Sequence, residues 1–499
     1  MTTFDNRSPL LRTLRNVVAR VRNPRPVAAT HWAVDNEYIE AVLKAPRARP
    51  EKDFGPQARA HFDDPAELYR IAAGYCYVGL LEKACALYER IVELNPGWID
   101  ILDPHARALW ALHQYDEATK LWVLFLEKRK NIRQKIGIPL NFYTIDDAFT
   151  ASFGNFCLFY PMDQYGYLTD VDEFYYHKTP LPECKGSLSP NKALCNFVFE
   201  RIKDSIPHEI LSLLAQDDYV TRLPFYCATD INRRPIHFHP AFAQKMLALN
   251  REGKLARIRF EPEQIGACTR NLARMGVDPN RPIVCIHVRE SGYWGRTGDR
   301  SHSTKNADIT TYIPAIQLLT NNGYQVVRLG DSTMRPLPAL ESVFDYALSE
   351  YKNDFLDVYL LANSAFLMCT SSGPFAVASI FGVPLLGTNW FPIHTTPFQP
   401  RDLVLLKKLK NKGSGRLLSI KEMLDLGYAE FSYYYLERND LEVVDNTPQE
   451  LVGATTEMLE RLHAERSSGP ANQEPDLSML SRFYGKVIFS EAQFARGSI

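Results

Sequence analysis

No stretch of the sequence comes near the roughly 18–20 consecutive apolar residues that a membrane-spanning helix needs. No apolar segment of secretory type follows the first charges either, because Arg12, Arg15, Arg20 and Arg22 interrupt every candidate. Neither charge sign is in excess. Lys and Arg number 57 against 58 Asp and Glu, a net charge of −1, which argues against a globally basic nucleic-acid binder. The nine cysteines (Cys76, Cys85, Cys157, Cys184, Cys195, Cys227, Cys268, Cys285 and Cys369) contain no C-x-x-C pair, and a scattered, odd set suits a reducing compartment. The pattern G-x-x-x-x-G-K-[ST] is missing, and no G-x-G-x-x-G follows a strand, which argues against a P-loop NTPase and a dinucleotide dehydrogenase. No Cys, His or acidic cluster has zinc spacing, so no metal cofactor is expected. His237-Phe238-His239 would place two imidazoles on one strand face, but a third ligand is missing.

What is present is ordinary globular composition, 45% hydrophobic, 23% charged and 12% aromatic, which excludes collagen, coiled coil and wholesale disorder. A length of 499 residues implies roughly three domains at about 150 residues each. We expect a cytoplasmic, multidomain protein.

The first unit, 1–60, is a helix and a linker. Ser8 suits an N-cap and Pro9 the first helical position. Leu10, Leu11, Leu14, Val17, Val18 and Val21 then fall on one stripe, with the four arginines around it. Such a helix either lies peripherally on an anionic membrane, at its inner face, or docks on the protein's own body. In the second unit, 61–136, Ala84 in Leu-Glu-Lys-Ala and Ala118 in Tyr-Asp-Glu-Ala stand 34 residues apart. Leu68, Ile71, Ala72, Tyr75, Tyr88 and Pro96, with Ala106, Leu109 and Trp122 in the next copy, complete a pattern that resembles tetratricopeptide repeats. Two repeats fall short of the roughly three needed for independent stability, so they should pack on a neighbouring domain or on a second protein chain, a partner or another copy.

Over 137–275 short aromatic and β-branched runs, such as Leu140–Ile145 and Phe156–Tyr160, alternate with helical stretches at Leu194–Ile206 and His239–Arg251. The turn holding Asn155 either begins an acceptor-binding loop or is purely structural. From 276 to 465 the pattern sharpens into βαβ units: strands at Pro282–Val288, Tyr324–Leu329, Phe366–Cys369, Val383–Gly387 and Leu441–Val444, helices at Ala307–Asn322, Phe355–Ala362 and Phe375–Phe381. The tail, 466–499, is rich in Ser, Gly, Pro and Asn. Strands alternating with helices predict a parallel, doubly wound sheet that binds ligands beyond the carboxyl ends of its strands.

Three such ends hold polar residues: His287-Val288-Arg289-Glu290 with a loop carrying Arg296 and Asp299, then Arg328, Gly330 and Asp331, then Thr370-Ser371-Ser372-Gly373 opening a helix. Small residues at a helix start leave N–H groups for an anion, and a strand-end Arg289 can pair with phosphate oxygens. A structural ion pair is the other reading of Arg289. His287 points to the same face as Arg289.

His287-Val288-Arg289 resembles the H-x-R phosphate motif of the fucosyltransferase-like glycosyltransferases, whose Arg contacts the diphosphate of GDP-fucose. Asp354–Asp357 with Ala365–Gly373 is similar to their later motif, and Ser372–Pro384 to the general GT-B donor-binding pattern. The stretch from about 140 to 460 resembles a bacterial glycosyltransferase family found with surface-polysaccharide genes. The resemblance implies an α/β fold of two Rossmann-like GT-B halves, 137–275 for acceptor and 276–465 for donor, behind the tetratricopeptide-like helices. It implies a donor site of His287, Arg289, Arg296, Asp331, Thr370, Ser371, Ser372 and Gly373. It also implies that the helix after Asn446 or Thr447 returns toward the first half. Glu290-Ser291-Gly292 departs from the family's basic residue, Gly and Asp.

The activity expected is transfer of a hexose or deoxyhexose, with inversion, from a nucleotide-diphosphate sugar, GDP-linked by preference, to a glycan or lipid-linked acceptor. The nucleotide sugar is a co-substrate and no other cofactor is implied. Arg289 would stabilise the leaving diphosphate, and Glu290, Asp299 or Asp331 would take the acceptor proton. The alternatives are a nucleotide-sugar epimerase of GT-B shape, which needs no acceptor, and a non-catalytic repeat scaffold.

Overall fold

A computed structural model of the chain describes residues 63–136, 142–146, 157, 160–161, 164–168, 173–177, 193, 224, 226–255, 260–292, 303–392, 401–426 and 433–468. The helix expected at 8–22, the helix expected at Leu194–Ile206 and the tail beyond 468 lie outside them.

Four helices open the described chain: α1 (Pro65–Tyr77), α2 (Leu81–Leu94), α3 (Leu102–Ala111) and α4 (Tyr115–Ile136). Asp64 caps α1 by accepting from the Ala66 and Glu67 amides, and Pro65 occupies the first turn, where no N–H is needed. Gly79, at φ +79°, then turns the chain so that α2 packs back on α1. Ala72, Ala84, Ala106 and Ala118 are all fully buried, which lets paired helices approach closely, and Tyr88 and Trp122 fill the space beside them. The two hairpins share one hydrophobic core with the region that follows them and with one face of the later sheet, as the shortage of repeats requires. Trp110 and Trp122 lie against His237, at 6.1 and 6.3 Å between ring centres. The buried Asp103 bridges the two regions, accepting from Trp122 Nε1 at 2.8 Å and from the Tyr226 amide at 3.2 Å.

The next region contributes a parallel strand pair, β1 (Phe142–Asp146) and β2 (Glu173–His177), with Phe142 opposite Glu173. An antiparallel hairpin follows, β3 (Cys227–Thr229) and β4 (Pro235–His237), and then α5 (Phe238–Arg251). Two expectations are corrected here. The strand ends at His237, whose Nδ1 caps α5 by accepting from the His239 amide, so His239 sits on a helix and the two imidazoles do not share a strand face. Cys157 and Tyr160, expected in a strand-like run, are helical. Among the described residues no group of three or more His, Cys, Asp or Glu side chains could hold a metal ion.

After α6 (Pro262–Arg274) comes a six-stranded sheet: β5 (Ile283–His287), β6 (Gln325–Arg328), β7 (Val343–Phe344), β8 (Phe366–Cys369), β9 (Leu385–Trp390) and β10 (Leu403–Leu406). All its strands are parallel, in the order β10-β9-β8-β5-β6-β7. Its residues alternate between two cores. Cys285, Val327, Leu367, Cys369 and Leu385 face α8 (Asp354–Asn363) and α9 (Pro374–Ile380). Val284, Ile286, Val326, Phe366, Met368 and Leu386 face α7 (Ile313–Asn321) and the last helix, α12 (Pro448–Ser468). Burial on both faces explains why these strands read as continuous apolar runs. The chain is therefore α/β, with a doubly wound Rossmann-like sheet behind a helical segment.

The chain closes with β11 (Lys408–Asn411), α10 (Ile420–Asp425), α11 (Tyr433–Arg438), β12 (Leu441–Val444), antiparallel to β11, and α12 (Pro448–Ser468). Thr447 caps α12: its hydroxyl accepts from the Glu450 amide while Glu450 reaches back to the Thr447 amide. Asn446 and Asn389, at the end of β9, instead bond reciprocally, the main-chain N–H of each donating to the side-chain Oδ1 of the other. The expected return of α12 to the first half is not what the structure shows over its described side chains. Leu451, Ala454, Met458, Leu459 and Leu462 bury against α7 and the sheet.

Candidate functional site

Counted outward, β7-β6-β5-β8-β9-β10 is the strand order 3-2-1-4-5-6, and the direction of winding reverses between β5 and β8. At that reversal, crossover helices leave to opposite faces and a crevice opens beyond the carboxyl ends of the two strands. The residues there are His287, Val288 and Arg289 from β5, and Thr370 to Gly373 from β8. The two ends are tied together. The Thr370 amide donates to the His287 carbonyl at 3.1 Å, and the Arg289 amide donates to Thr370 Oγ1 at 3.1 Å. The Arg289 carbonyl accepts from the Ala307 amide at 2.9 Å, which fixes its main chain on both sides.

His287 is 9% exposed, and its Nδ1 has no hydrogen-bond partner among the described residues. Burial, and then the neighbouring Arg289 cation, push its pKa down from 6.5 to about 4, against the opposing pull of Asp331. The imidazole is therefore neutral at physiological pH and adds no second positive charge beside Arg289.

On the β8 side the Ser371 hydroxyl donates to the Phe391 carbonyl and ties β8 to the end of β9. The proton of this hydroxyl is thus spent on a strut within the fold. Ser372 and Gly373 open α9, with Pro374 in its first turn, and their amides donate to no described residue. Asp331, after β6, accepts from the Thr333 amide at 2.8 Å and the Thr333 hydroxyl at 2.5 Å, both on Oδ1. Gly292 lies so close that a Cβ there would meet Thr333, which packs the loop after β5 onto the loop after β6.

Glu290 is differently placed from a free base. Oε1 accepts from Arg328 Nη2 at 2.8 Å and Oε2 from the Arg335 amide at 2.9 Å. Asp299, Arg296 and Asn155 lie outside the described residues. Asp345 joins Glu290 and Arg328 in this set without a sequence motif to mark it. It accepts from Arg328 and from the Leu337 amide at 2.9 Å, but follows a two-residue strand too short to leave a pattern. No helix among the described residues is long and apolar enough to cross a membrane.

Comparison with known proteins bears on the chain as a whole. No family model and no curated protein matches the sequence. Among solved structures, a glycosyl transferase family 9 protein from Veillonella parvula aligns at 12% identity and a TM-score of 0.35, over 64% of this chain and 97% of its own. The iron-containing dodecameric glycosyltransferase TibC from enterotoxigenic E. coli aligns at 14% identity and a TM-score of 0.32, over 65% and 76%. An O-GlcNAc transferase variant from Thermobaculum terrenum aligns at 12% identity and a TM-score of 0.23, over 99% and 95%. Likeness at this level transfers neither a family nor an activity to this chain.

Proposed function

We propose that the protein is a glycosyltransferase that seats the diphosphate of a nucleotide sugar in the crevice between β5 and β8. The observation that carries this reading is the meeting of Arg289 with the Thr370–Gly373 turn at the point where the sheet reverses its winding. Arg289 supplies the charge, the Ser372 and Gly373 amides supply donors, and the neutral His287 ring offers a nitrogen beside them. In sugar transfer the bond from the anomeric carbon to the diphosphate oxygen breaks and negative charge grows on the leaving group. Donors already in place there lower the barrier.

A base must also take the proton of the acceptor hydroxyl. With both Glu290 oxygens committed to Arg328 and Arg335, Asp331 is the better described candidate, since its Oδ2 accepts from no described residue. We favour a GDP-linked donor. Guanine presents N1 and N2 donors to a carboxylate, and a site built for them rejects a base that lacks them. Asp345 and Asp357 are taken by Arg328 and Lys352 and Asp331 is assigned to the acceptor proton, which leaves a main-chain carbonyl near 345–357 for that role. The acceptor is a glycan or lipid-linked sugar of surface-polysaccharide synthesis.

The test is a thermal-shift panel of GDP, UDP, ADP and CMP, followed by calorimetry. A ligand that binds only the folded state raises the melting temperature by mass action. Stabilisation by a nucleoside diphosphate supports the reading, with GDP expected first. A preference for UDP removes the GDP assignment alone, and indifference to all of them removes the proposal.

A further inference from the structure

Arg328 closes β6 and stands opposite Ile286 on β5. Its side chain is fully buried, yet it lies among charges. Nη2 donates to Glu290 at 2.8 Å, Nη1 donates to Asp345 at 3.2 Å, and Nη1 also donates to the Arg335 carbonyl. Glu290 in turn accepts from the Arg335 amide, so the peptide groups on either side of Arg335 are gripped from both ends of one ion pair. Asp345 also accepts from the Leu337 amide. One guanidinium therefore joins the chain after β5, the chain after β6 and the chain after β7, all at the carboxyl ends of the strands.

Stability does not account for such a device. Replacing a buried ion pair with well-packed apolar side chains is often neutral or stabilising, because two desolvated charges only roughly recover their hydration. A rigid fork with donors in fixed directions does something an apolar plug cannot, which is to fix several loops in one register. Glu290 is the residue next to Arg289, and the 331–337 chain that the clamp grips begins at Asp331.

We propose that Arg328, Glu290 and Asp345 form a positioning clamp that holds Arg289 at the crevice for the diphosphate and Asp331 in place for the acceptor proton. This rests on the proposed reading of the crevice as a donor site. Glu290 acts through Arg328 and the loops and does not touch substrate.

Glu290→Gln is the informative substitution. It keeps an oxygen for Arg328 and leaves the Arg328–Asp345 pair intact, so no buried charge is stranded, but it turns an amide NH2 toward either Arg328 or the Arg335 N–H. Arg328→Lys is the second variant, since a single ammonium cannot span three loops. Trp122→Phe, in the helical repeats and remote from the crevice, serves as a control that loses its bond to Asp103.

Two readouts separate positioning from bulk stability. The first is the dissociation constant of GDP and of inorganic pyrophosphate by calorimetry. The second is the titration midpoint of the His287 ring by NMR, which is set by burial, by Arg289 and Lys352 pushing it down, and by Asp331 pulling it up. In Glu290→Gln and Arg328→Lys we expect binding to weaken about tenfold or more, as small misplacements of a positioning group do. We also expect the His287 midpoint to move as Arg289 and Asp331 shift, while Trp122→Phe moves neither. Unchanged affinity and midpoint in both clamp variants would overturn the clamp and leave the donor site standing. If the wild-type protein binds neither GDP nor pyrophosphate, the donor site fails and the clamp for a diphosphate falls with it.

Discussion

Acidification should destabilise the protein through His287 by an amount that can be worked out in advance. The folded-state pKa is lowered from 6.5 to about 4, first by burial and then by Arg289. The unfolded chain therefore binds a proton on this ring at a higher pH than the folded chain does. Stability from His287 is complete above the unfolded value and is lost as the pH falls from about 6.5 toward about 4. Linkage gives a loss of about 2 kcal/mol at pH 5 relative to pH 7.5, approaching about 3 kcal/mol once the folded-state ring also titrates. His287→Gln removes the titrating group. Denaturant unfolding of wild type and His287→Gln at pH 7.5 and pH 5.0, followed by tryptophan fluorescence, gives the comparison. His105, also buried and lowered to about 4, contributes equally to both proteins and cancels. The variant should lose about 2 kcal/mol less than wild type between the two pH values. Equal losses would show that His287 is not held neutral beside Arg289, and would remove the electrostatic description of the crevice.

Other outcomes follow from particular contacts. Gly79→Ala should cost at least about 1–2 kcal/mol from its left-handed backbone alone, and more because the new Cβ overlaps the buried Tyr435 ring; adding Tyr435→Ala should relieve the overlap but not the backbone cost, read by thermal melting. Lys408→Met leaves Glu450 buried without its cation and should destabilise by about 3–5 kcal/mol, with Lys408→Met/Glu450→Gln recovering part of it in the same denaturant assay. Diphosphate binding places negative charge beside His287 and should raise its pKa from about 4, as NMR titration of the ring with and without pyrophosphate will show.

The sheet was legible where a strand ran as an unbroken apolar segment between turn signals. Phe366–Cys369 has the expected limits and Ile283–His287 lies inside the expected run, whereas Leu441–Val444, expected as a strand of the parallel sheet, pairs antiparallel with Lys408–Asn411 outside it. Leu403–Leu406 has the same composition, but so short a run does not separate a strand from a buried helix. Val343–Phe344 gains its identity only from pairing with Val326 and Val327. For α12 the helical spacing marks an apolar face and gives no information about the surface that receives it. At the site, the residue types announced anion chemistry, but their division of labour depended on distant partners. Glu290 looks like a base until Arg328, remote in sequence, takes one of its oxygens, and the Ser371 hydroxyl proton goes to the Phe391 carbonyl, twenty residues on.

The central claim is that Arg289 anchors a diphosphate at the β5–β8 crevice, and calorimetry of GDP with wild type and Arg289→Ala tests it most directly. Arg289 sits past the end of its strand, partly exposed, so its removal should leave the fold and its melting profile largely unchanged. The account predicts saturable binding of GDP to wild type and loss of measurable binding in the variant. Equal affinity in the two proteins would contradict it.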